Sequence, residues 1–220
     1  MYDQAMKYGV LGTGMVGKGL AEKLLAIGHQ VMMGTRSVGK DAGVPPGISV
    51  RSFAEAAAFG ETLISCTAGT TSVDALRSVN RKDLAGKVLI DVSNPLVFTA
   101  GQLPALSISN TDSLGETLQR EFPELRVVKA LNTVNWQVMI DPGRVPGEHD
   151  LFIAGNDAVA KQQVTGLLRE FGWKSIIDLG DITGARATEQ LMPFWLRLFS
   201  MYGSGDFNYR ILKSPAITPK

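Results

Sequence analysis

A glycine-rich stretch near the amino terminus constrains the fold of this chain more than any other feature. Residues 9–20 read GVLGTGMVGKGL: an apolar run, then Gly-x-Gly-x-x-Gly, then apolar residues at helical spacing. This order predicts a strand, a tight turn and the start of a helix. Gly12 fits the tight turn, Gly14 leaves the backbone open to a ligand, and Gly17 allows close helix packing. The free N–H groups of such a helix start favour a pyrophosphate, so the stretch predicts a dinucleotide site, with an unliganded turn as the alternative.

The rest of the chain alternates strand-like and helix-like segments. We expect strands over residues 7–12, 29–35, 48–52, 61–67, 86–94, 126–133, 149–156 and 174–180. We expect helices over residues 17–28, 53–60, 72–79, 113–122, 158–172 and 187–203, with an irregular stretch over 95–112. This alternation predicts an α/β fold with a doubly wound, mostly parallel sheet of the Rossmann type. We expect a single domain over 1–220, comprising a nucleotide-binding core over 1–180 and a short helical cap or dimerisation segment over 181–220.

Composition and charge argue against several classes of protein. The 220 residues carry 22 Lys and Arg against 21 Asp and Glu, which gives no support for binding to nucleic acid or a membrane surface. Neither a basic leader before a long apolar run nor about 18 consecutive apolar residues occurs, so we expect no signal peptide and no transmembrane helix. Cys66 is the one cysteine, which excludes an internal disulfide and fits a cytoplasmic location.

The end of the second predicted strand identifies the nucleotide. An NAD site usually places Asp or Glu there, about 20 residues beyond the glycine turn, to bond the ribose 2′-hydroxyl. This chain instead has Thr35, Arg36 and Ser37, and Lys40 follows on the next loop. An arginine can bond a phosphate through two N–H groups, whereas a carboxylate repels it. The cluster therefore predicts NADP(H) rather than NAD(H), with an ordinary surface arginine as the alternative.

Three turns after predicted strands are expected to hold the nicotinamide, because such sheets bind ligands at the carboxyl ends of their strands. The turns read SCTAGTT at 65–71, VSNPL at 92–96 and ALNTV at 130–134. Small and hydroxyl-bearing residues let a flat ring lie against the backbone. The candidate contacts in these turns are Cys66, Thr67, Ala68, Gly69, Asn94 and Asn132.

No side chain is an obvious proton carrier for this site. His29 and His149 precede predicted strands, so they fall at the opposite edge of the sheet. Cys66 fits a small packing residue better than a reactive thiol. No metal-ligand cluster has plausible spacing, and no Gly-x-Ser-x-Gly elbow occurs. Hydride exchange between two heterocyclic cofactors needs mainly the positioning of both rings, so the sequence favours such an exchange over alcohol oxidation.

These motifs resemble those of the NADPH-dependent oxidoreductases of the coenzyme F420 type, which pass hydride between NADP(H) and a 5-deazaflavin. They are also similar to the cytosolic nucleotide domain of membrane metalloreductases. The resemblance rests on GVLGTGMVGKGLAEKLLAIGHQVMMGTRS, Lys40, VVKALNTV, AGND and ARATEQLMPFWLRL, which together span about residues 7–205. One departure is Asn132-Thr133, where the deazaflavin reductases tend to have His-Thr and the metalloreductases are closer to this chain.

The resemblance implies roles for three groups of residues. It assigns phosphate binding to Thr13, Gly14, Met15, Val16 and Gly17. It assigns 2′-phosphate binding to Thr35, Arg36, Ser37 and Lys40. It assigns the nicotinamide platform to Thr67, Ala68, Asn94, Pro95, Ala130, Leu131, Asn132 and Thr133. It also implies a homodimer, with the second cofactor in a cleft near the C-terminal helices.

Three functions are open at this point. The first is an NADP(H)-dependent oxidoreductase that exchanges hydride with a deazaflavin or flavin-like acceptor. The second is an NADP-binding, redox-sensing module without catalysis of its own. The third is a reductase of a small carbonyl or quinone, helped by a hydroxyl such as that of Thr133. The last predicted helix bears Phe194, Trp195, Phe199 and Tyr202, which favour a core or dimer contact over a wall that stacks on a flavin.

Overall fold

A central sheet organises the chain in the computed structural model, which describes residues 5–39, 43–214 and 217. Lys40, a predicted phosphate contact, lies outside the described residues. The strands, in chain order, are β1 (Lys7–Leu11), β2 (Gln30–Thr35), β3 (Ser49–Ser52), β4 (Thr62–Ser65), β5 (Val88–Asp91), β6 (Leu96–Val97), β7 (Ala105–Leu106), β8 (Arg126–Ala130), β9 (Asp150–Gly155) and β10 (Ser175–Asp178). Among the described residues, eight of them form one sheet in the order β10-β9-β8-β5-β4-β1-β2-β3.

The topology places a ligand crevice beside β1. All neighbouring strands of this sheet are parallel except β8 and β9. The chain winds outward from β1 to β3, then returns to β4 on the other side of β1. In the register, Leu11 pairs with both Gly34 and Ser65, so three strand ends lie level. Doubly wound sheets bind their ligands where the strand order reverses in this way.

Helices cover both faces of the sheet. They are α1 (Met15–Ala26), α2 (Phe53–Phe59), α3 (Ser72–Arg77), α4 (Arg81–Leu84), α5 (Leu114–Glu121), α6 (Trp136–Ile140), α7 (Ala158–Glu170), α8 (Ala185–Gln190) and α9 (Met192–Tyr202). One apolar cluster packs α1, α6 and α7 on one face, and a second packs α2 to α5 and α8 on the other. Buried Leu63 and Ile64 on β4 belong to opposite clusters, because side chains alternate along a strand. The predicted α/β fold and its mostly parallel sheet are confirmed.

The structure adds several short elements that the sequence did not predict. Within residues 95–112, β6 and β7 pair as an antiparallel hairpin. Helices α4 and α6 were also not predicted. The predicted helix over 187–203 is two helices, α8 and α9, which meet at Leu191. Pro193 lies in the first turn of α9, where its missing N–H and fixed φ suit the start of a helix better than its middle.

The segment after α9 folds back onto the amino end of β9. The Asp150 N–H donates to the Tyr209 carbonyl at 2.8 Å, and Arg210 pairs with the Asp150 carboxylate at 2.9 Å. Arg144 and Asp206 form a further ion pair at 2.7 Å. The end of α9 is therefore tied to the core. No helix within the described ranges has the length and apolar character needed to cross a membrane.

Candidate functional site

The glycine turn between β1 and α1 has the geometry of a phosphate-binding turn. Gly12 has φ +124°, a conformation that favours glycine, and its N–H donates to the Gly34 carbonyl at 2.9 Å. A Cβ on Gly17 would collide with the Gly12 carbonyl, so only glycine lets the helix approach the turn this closely. A Cβ on Gly14 would meet nothing within 4 Å. The turn is therefore closed on its protein side and open on the side where a pyrophosphate would lie.

The start of α1 leaves its backbone N–H groups available to an anion. Gly14 occupies the N-cap position and has no side chain to bond them. The first turn of α1 also carries no acidic residue. Unsatisfied N–H groups and the positive end of the helix dipole favour a bound anion here. The residues present therefore fit a dinucleotide phosphate.

An outer cavity of about 370 Å³ opens beside this turn. It is lined by Gly12, Thr13, Gly14, Thr35, Arg36, Phe53, Cys66, Thr67, Ala68, Thr71, Asp74, Ala75 and Ser78. Arg36 is exposed at its edge, and no ion pair to its guanidinium occurs within the described ranges. The Asp74 carboxylate, which also lines this cavity, forms an ion pair with Arg77 at 3.3 Å. A free guanidinium at the end of β2 fits a 2′-phosphate.

An inner cavity of about 280 Å³ continues from the outer one. Its lining residues are Val16, Cys66, Thr67, Ala68, Gly69, Val92, Ser93, Asn94, Asn132, Val134, Asn135, Trp136, Met139, Met192 and Trp195. Cys66, Thr67 and Ala68 line both cavities, so the turn after β4 joins them. An extended dinucleotide can therefore cross from the outer to the inner cavity over a single turn.

Two asparagine amides meet at the wall of the inner cavity. The Asn94 amide donates to the Asn132 carbonyl at 2.8 Å, and the Asn132 amide donates to Asn94 Oδ1 at 3.0 Å. Leu131, just before Asn132, has φ +64°, which a branched side chain adopts only at a cost of about 1–3 kcal/mol. Asn132 Oδ1 is buried and accepts no hydrogen bond among the described residues. A strained turn thus holds a polar amide, with one acceptor unused, at the cavity.

The thiol of Cys66 is the only ionisable side chain among the described residues that line the inner cavity. Burial raises the pKa of this thiol, and the nearby Asp91 carboxylate raises it further. The thiol therefore stays neutral near pH 7. His29 and His149 precede β2 and β9 at the opposite edge, where His29 bonds Glu170 and His149 bonds the Pro142 carbonyl. The described lining of the inner cavity offers no group suited to proton transfer.

Several sequence-predicted contacts lie near the cavities without lining them. Met15 and Ser37 are exposed at the start of α1 and after β2. Pro95, Ala130, Leu131, Thr133 and Gly17 are buried. Gly69 is required where two turns meet, because a Cβ on it would collide with the Asn94 carbonyl. Sequence reasoning missed the α3 side of the outer cavity and Trp136 of the inner one. Trp195 was expected to make a core or dimer contact rather than to form a wall of the site. The structure stacks Trp195 on Phe199 and also places it in the lining of the inner cavity.

A third cavity of the described residues lies elsewhere. It measures about 410 Å³ and opens at the amino ends of β9 and β10. Arg210 and His149 at its wall are already bonded to protein groups. This cavity lies away from the carboxyl edge of the sheet, so it is separate from the two cavities beside the glycine turn.

Known proteins share this fold and these motifs. Residues 7–95 match the family described as "NADP oxidoreductase coenzyme F420-dependent". A crystal structure from Arthrobacter sp. FB24, assigned as an F420-dependent NADP-reductase, is 44% identical, has a TM-score of 0.90 and covers 95% of this chain and 100% of that one. The F420-dependent NADP reductase of Methanocaldococcus jannaschii is 27% identical over 94% of this chain and 98% of its own length. Metalloreductase STEAP3 of Rattus norvegicus is 30% identical over 87% of this chain, which spans only 38% of that protein.

The fold and the glycine turn, together with these relatives, define an NADP(H)-dependent oxidoreductase. The chain belongs to the family of coenzyme F420-dependent NADP oxidoreductases, since it covers a 44% identical member over its whole length.

Proposed function

We propose that this chain transfers a hydride between NADPH and a deazaflavin (coenzyme F420) or a flavin-like acceptor, with both rings meeting in the inner cavity. The lining of that cavity carries the proposal. Trp136 and Trp195 supply aromatic surface, Asn94 and Asn132 supply amides, and no described lining group is charged near pH 7. Such a cavity suits the stacking and orientation of two flat rings and does not suit proton transfer to an alkoxide.

The binding of NADP(H) is divided between the two cavities. In this proposal the Gly12–Gly17 turn bonds the pyrophosphate through backbone N–H groups, with Thr13 beside it. Arg36 bonds the 2′-phosphate, together with the hydroxyls of Thr35 and Ser37. Lys40 would join them from the loop after β2. The outer cavity therefore supplies most of the binding energy, because it supplies the charged contacts.

The inner cavity orients the nicotinamide. Asn94 and Asn132, which both line this cavity, are the proposed residues that orient the carboxamide. Thr67 and Ala68 lie where the two cavities join, so their turn supports the linking ribose. Bound NADPH supplies the hydride, and solvent supplies the one further proton that the reduced acceptor takes up. The residues of this cavity then need only exclude water and hold the ring.

The test is NADPH oxidation with a panel of acceptors: a deazaflavin, a flavin, a quinone and a ferric complex. We expect turnover with the deazaflavin or the flavin. We also expect a much lower KM for NADPH than for NADH. Tight NADPH binding without turnover on any acceptor would refute the proposal and favour the redox-sensing module. Preferential turnover of the quinone or of ferric iron would refute the proposed acceptor but keep the oxidoreductase.

We also propose that two copies of the chain associate through α9. Phe194, Met201 and Tyr202 on α9 are exposed, and so is Phe98 on the neighbouring hairpin. Large apolar side chains exposed on one helix and on a neighbouring hairpin are what a dimer contact would cover. Light scattering after size exclusion should give twice the mass of the chain, and Met201→Glu should shift it to a monomer. A monomeric wild-type protein would contradict this proposal without touching the proposed chemistry.

A further inference from the structure

A fully buried lysine lies directly behind the inner cavity. Lys129 on β8 has no exposed side-chain area. Its ammonium donates to the Ser93 carbonyl at 2.6 Å, to the Asp91 carboxylate at 2.8 Å and to the Glu189 carboxylate at 2.8 Å. Burial alone would lower the pKa of Lys129, but the two carboxylates outweigh it, so the pKa is raised and the group stays charged. All three ammonium N–H groups are therefore used.

The first of these bonds shapes the turn after β5. Lys129 holds the carbonyl of Ser93, and the Ser93 hydroxyl donates to Asp91 Oδ1 at 2.5 Å. Asn94, the next residue, forms the amide pair with Asn132. Ser93 and Asn94 both line the inner cavity. The ammonium therefore sets the course of the backbone that presents the asparagine pair.

A line of hydroxyls extends this network to the turn that joins the cavities. The Ser72 hydroxyl lies 3.3 Å from the Ser93 hydroxyl and 2.9 Å from the Thr67 hydroxyl. Thr67 lines both cavities. The turns after β4 and β5 are thus bonded to one another, and Lys129 anchors the pair of turns from behind.

The third bond reaches the C-terminal helices. Glu189 on α8 accepts from Lys129, and it also accepts from the Leu114 and Gly115 N–H groups at the start of α5. These N–H groups help to offset the second buried carboxylate. Three residues after Glu189, α9 begins with Met192, which lines the inner cavity as Trp195 does. Lys129 therefore connects the floor of the cavity to the helix that covers it.

Stability alone does not account for this cluster. Replacement of a buried ion pair by well-packed apolar residues is often neutral or stabilising, because burial of the charges costs as much as their attraction returns. An apolar side chain, however, cannot hold a carbonyl and two carboxylates from two separate segments in a single geometry. We infer that Lys129 is a positioning residue for hydride transfer: its ammonium fixes the turn after β5 and the start of α9 around the nicotinamide. The inference rests on the proposed function in taking the inner cavity as the nicotinamide site.

Three variants test this role. Lys129→Met removes all three donors. Glu189→Gln is milder. Its new NH₂ group must face either the Lys129 ammonium or a backbone N–H, so a hydrogen bond is replaced by a contact between two donors. Arg186→Met is the matched control on the same helix: it removes the half-exposed ion pair with Glu116 and leaves Lys129 untouched. Circular dichroism and thermal melting identify which variants fold, and Glu189→Gln is the test if Lys129→Met does not.

The readouts separate binding from ring placement. The reduced nicotinamide ring fluoresces, and its emission lifetime depends on how rigidly the ring is held, so bound NADPH reports on ring placement without any acceptor. Folded Lys129→Met and Glu189→Gln should bind NADPH with little change in Kd, yet shorten this lifetime toward that of free NADPH. Their kcat should fall on the order of 10²-fold, the scale of a misplacement of about 1 Å. Arg186→Met should match the wild type in all three measurements.

Two results would overturn the inference. One is a wild-type lifetime of bound NADPH and a wild-type kcat in a folded Glu189→Gln variant. The other is a parallel loss of NADPH affinity and kcat, which a merely structural role predicts. A wild-type protein that reduces no acceptor would refute the proposed function, while the lifetime of bound NADPH would still decide whether Lys129 positions the ring.

Discussion

The two cavities are built in different ways. The outer cavity is lined by residues between Gly12 and Ser78, which follow the first four strands of the sheet. The inner cavity takes its lining from Val16 to Trp195, including both chain halves and the C-terminal helices. Exposed backbone N–H groups and an exposed guanidinium dominate the first, whereas side-chain amides and aromatic rings dominate the second. The contrast predicts that changes in the outer cavity alter cofactor affinity, and that changes in the inner cavity alter turnover.

The largest expected effect comes from the glycine turn. Gly17→Val forces the start of α1 away from the Gly12 carbonyl. The variant should lose two or more charge-assisted phosphate bonds, at roughly 1.5–3 kcal/mol each, and bind NADPH roughly 100-fold more weakly or worse. Gly14→Ala is the control, since its Cβ meets no protein atom within 4 Å. It should keep the wild-type melting temperature but still weaken NADPH, because the methyl group occupies the phosphate space. Equal NADPH affinity in Gly14→Ala and the wild type would place the pyrophosphate elsewhere.

The next largest effect is expected for Arg36→Asp, which tests whether Arg36 contacts the 2′-phosphate. Loss of a charge-assisted phosphate bond, at about 1.5–3 kcal/mol, should weaken NADPH binding roughly 10- to 100-fold. NADH binding should be unchanged or improved, because NADH lacks the 2′-phosphate. Fluorescence titration with both nucleotides measures this, and Arg169→Asp on the exposed side of α7 controls for net charge. A similar loss for both nucleotides would show that Arg36 does not contact the 2′-phosphate.

Trp195→Ala tests the inner cavity with a smaller expected effect. The Trp195 ring stacks on Phe199 at 5.2 Å between centroids and lines the cavity. Removal of one aromatic contact, at about 0.5–1.5 kcal/mol, should raise the KM for the acceptor several-fold. The Kd for NADPH should stay near the wild-type value. If NADPH affinity fell instead while the acceptor KM held, the assignment of the two cavities would be wrong.

Cys66 should give the smallest effect on function, although it lies where the cavities join. Cys66→Ala should leave NADPH affinity and turnover at neutral pH nearly unchanged, because burial raises the pKa of the thiol and keeps it neutral. The direction in which pH changes the free energy of unfolding follows from the same raised pKa. Above about pH 8.5 the thiol ionises in the unfolded chain but not in the folded one, so this group's contribution to the free energy of unfolding falls by about 1.4 kcal/mol per pH unit.

Denaturant unfolding of Cys66→Ala and wild type from pH 7 to pH 10 isolates that contribution. The wild-type protein should lose stability relative to the variant as the pH rises. A constant difference between the two proteins would mean that the thiol ionises equally in both states, and a marked loss of turnover in the variant would give Cys66 a role in the reaction.

The sequence by itself determined the fold class, and it predicted the nucleotide and most residues of the outer cavity. A glycine turn between a strand and a helix is a local feature, because the conformations and close approaches that require glycine involve neighbours along the chain. The end of β2 follows directly from it, so GTRS was enough to predict NADP(H). The sequence also predicted all eight strands of the main sheet, since strands buried on both faces are short apolar runs between turn residues.

Only the tertiary structure decided the composition of the inner cavity. Trp136 on α6 and Trp195 on α9 line the same cavity in the folded chain, and no sequence spacing between them reveals this. VVKALNTV looked like an ordinary strand and turn, yet its lysine is fully buried and its Leu131 is strained. A buried charge is stable only with partners, and the partners of Lys129 lie 38 and 60 residues away along the chain at Asp91 and Glu189. Such distant pairings follow from the folded sheet, because only there do the ends of β5 and β8 and the helix α8 come together.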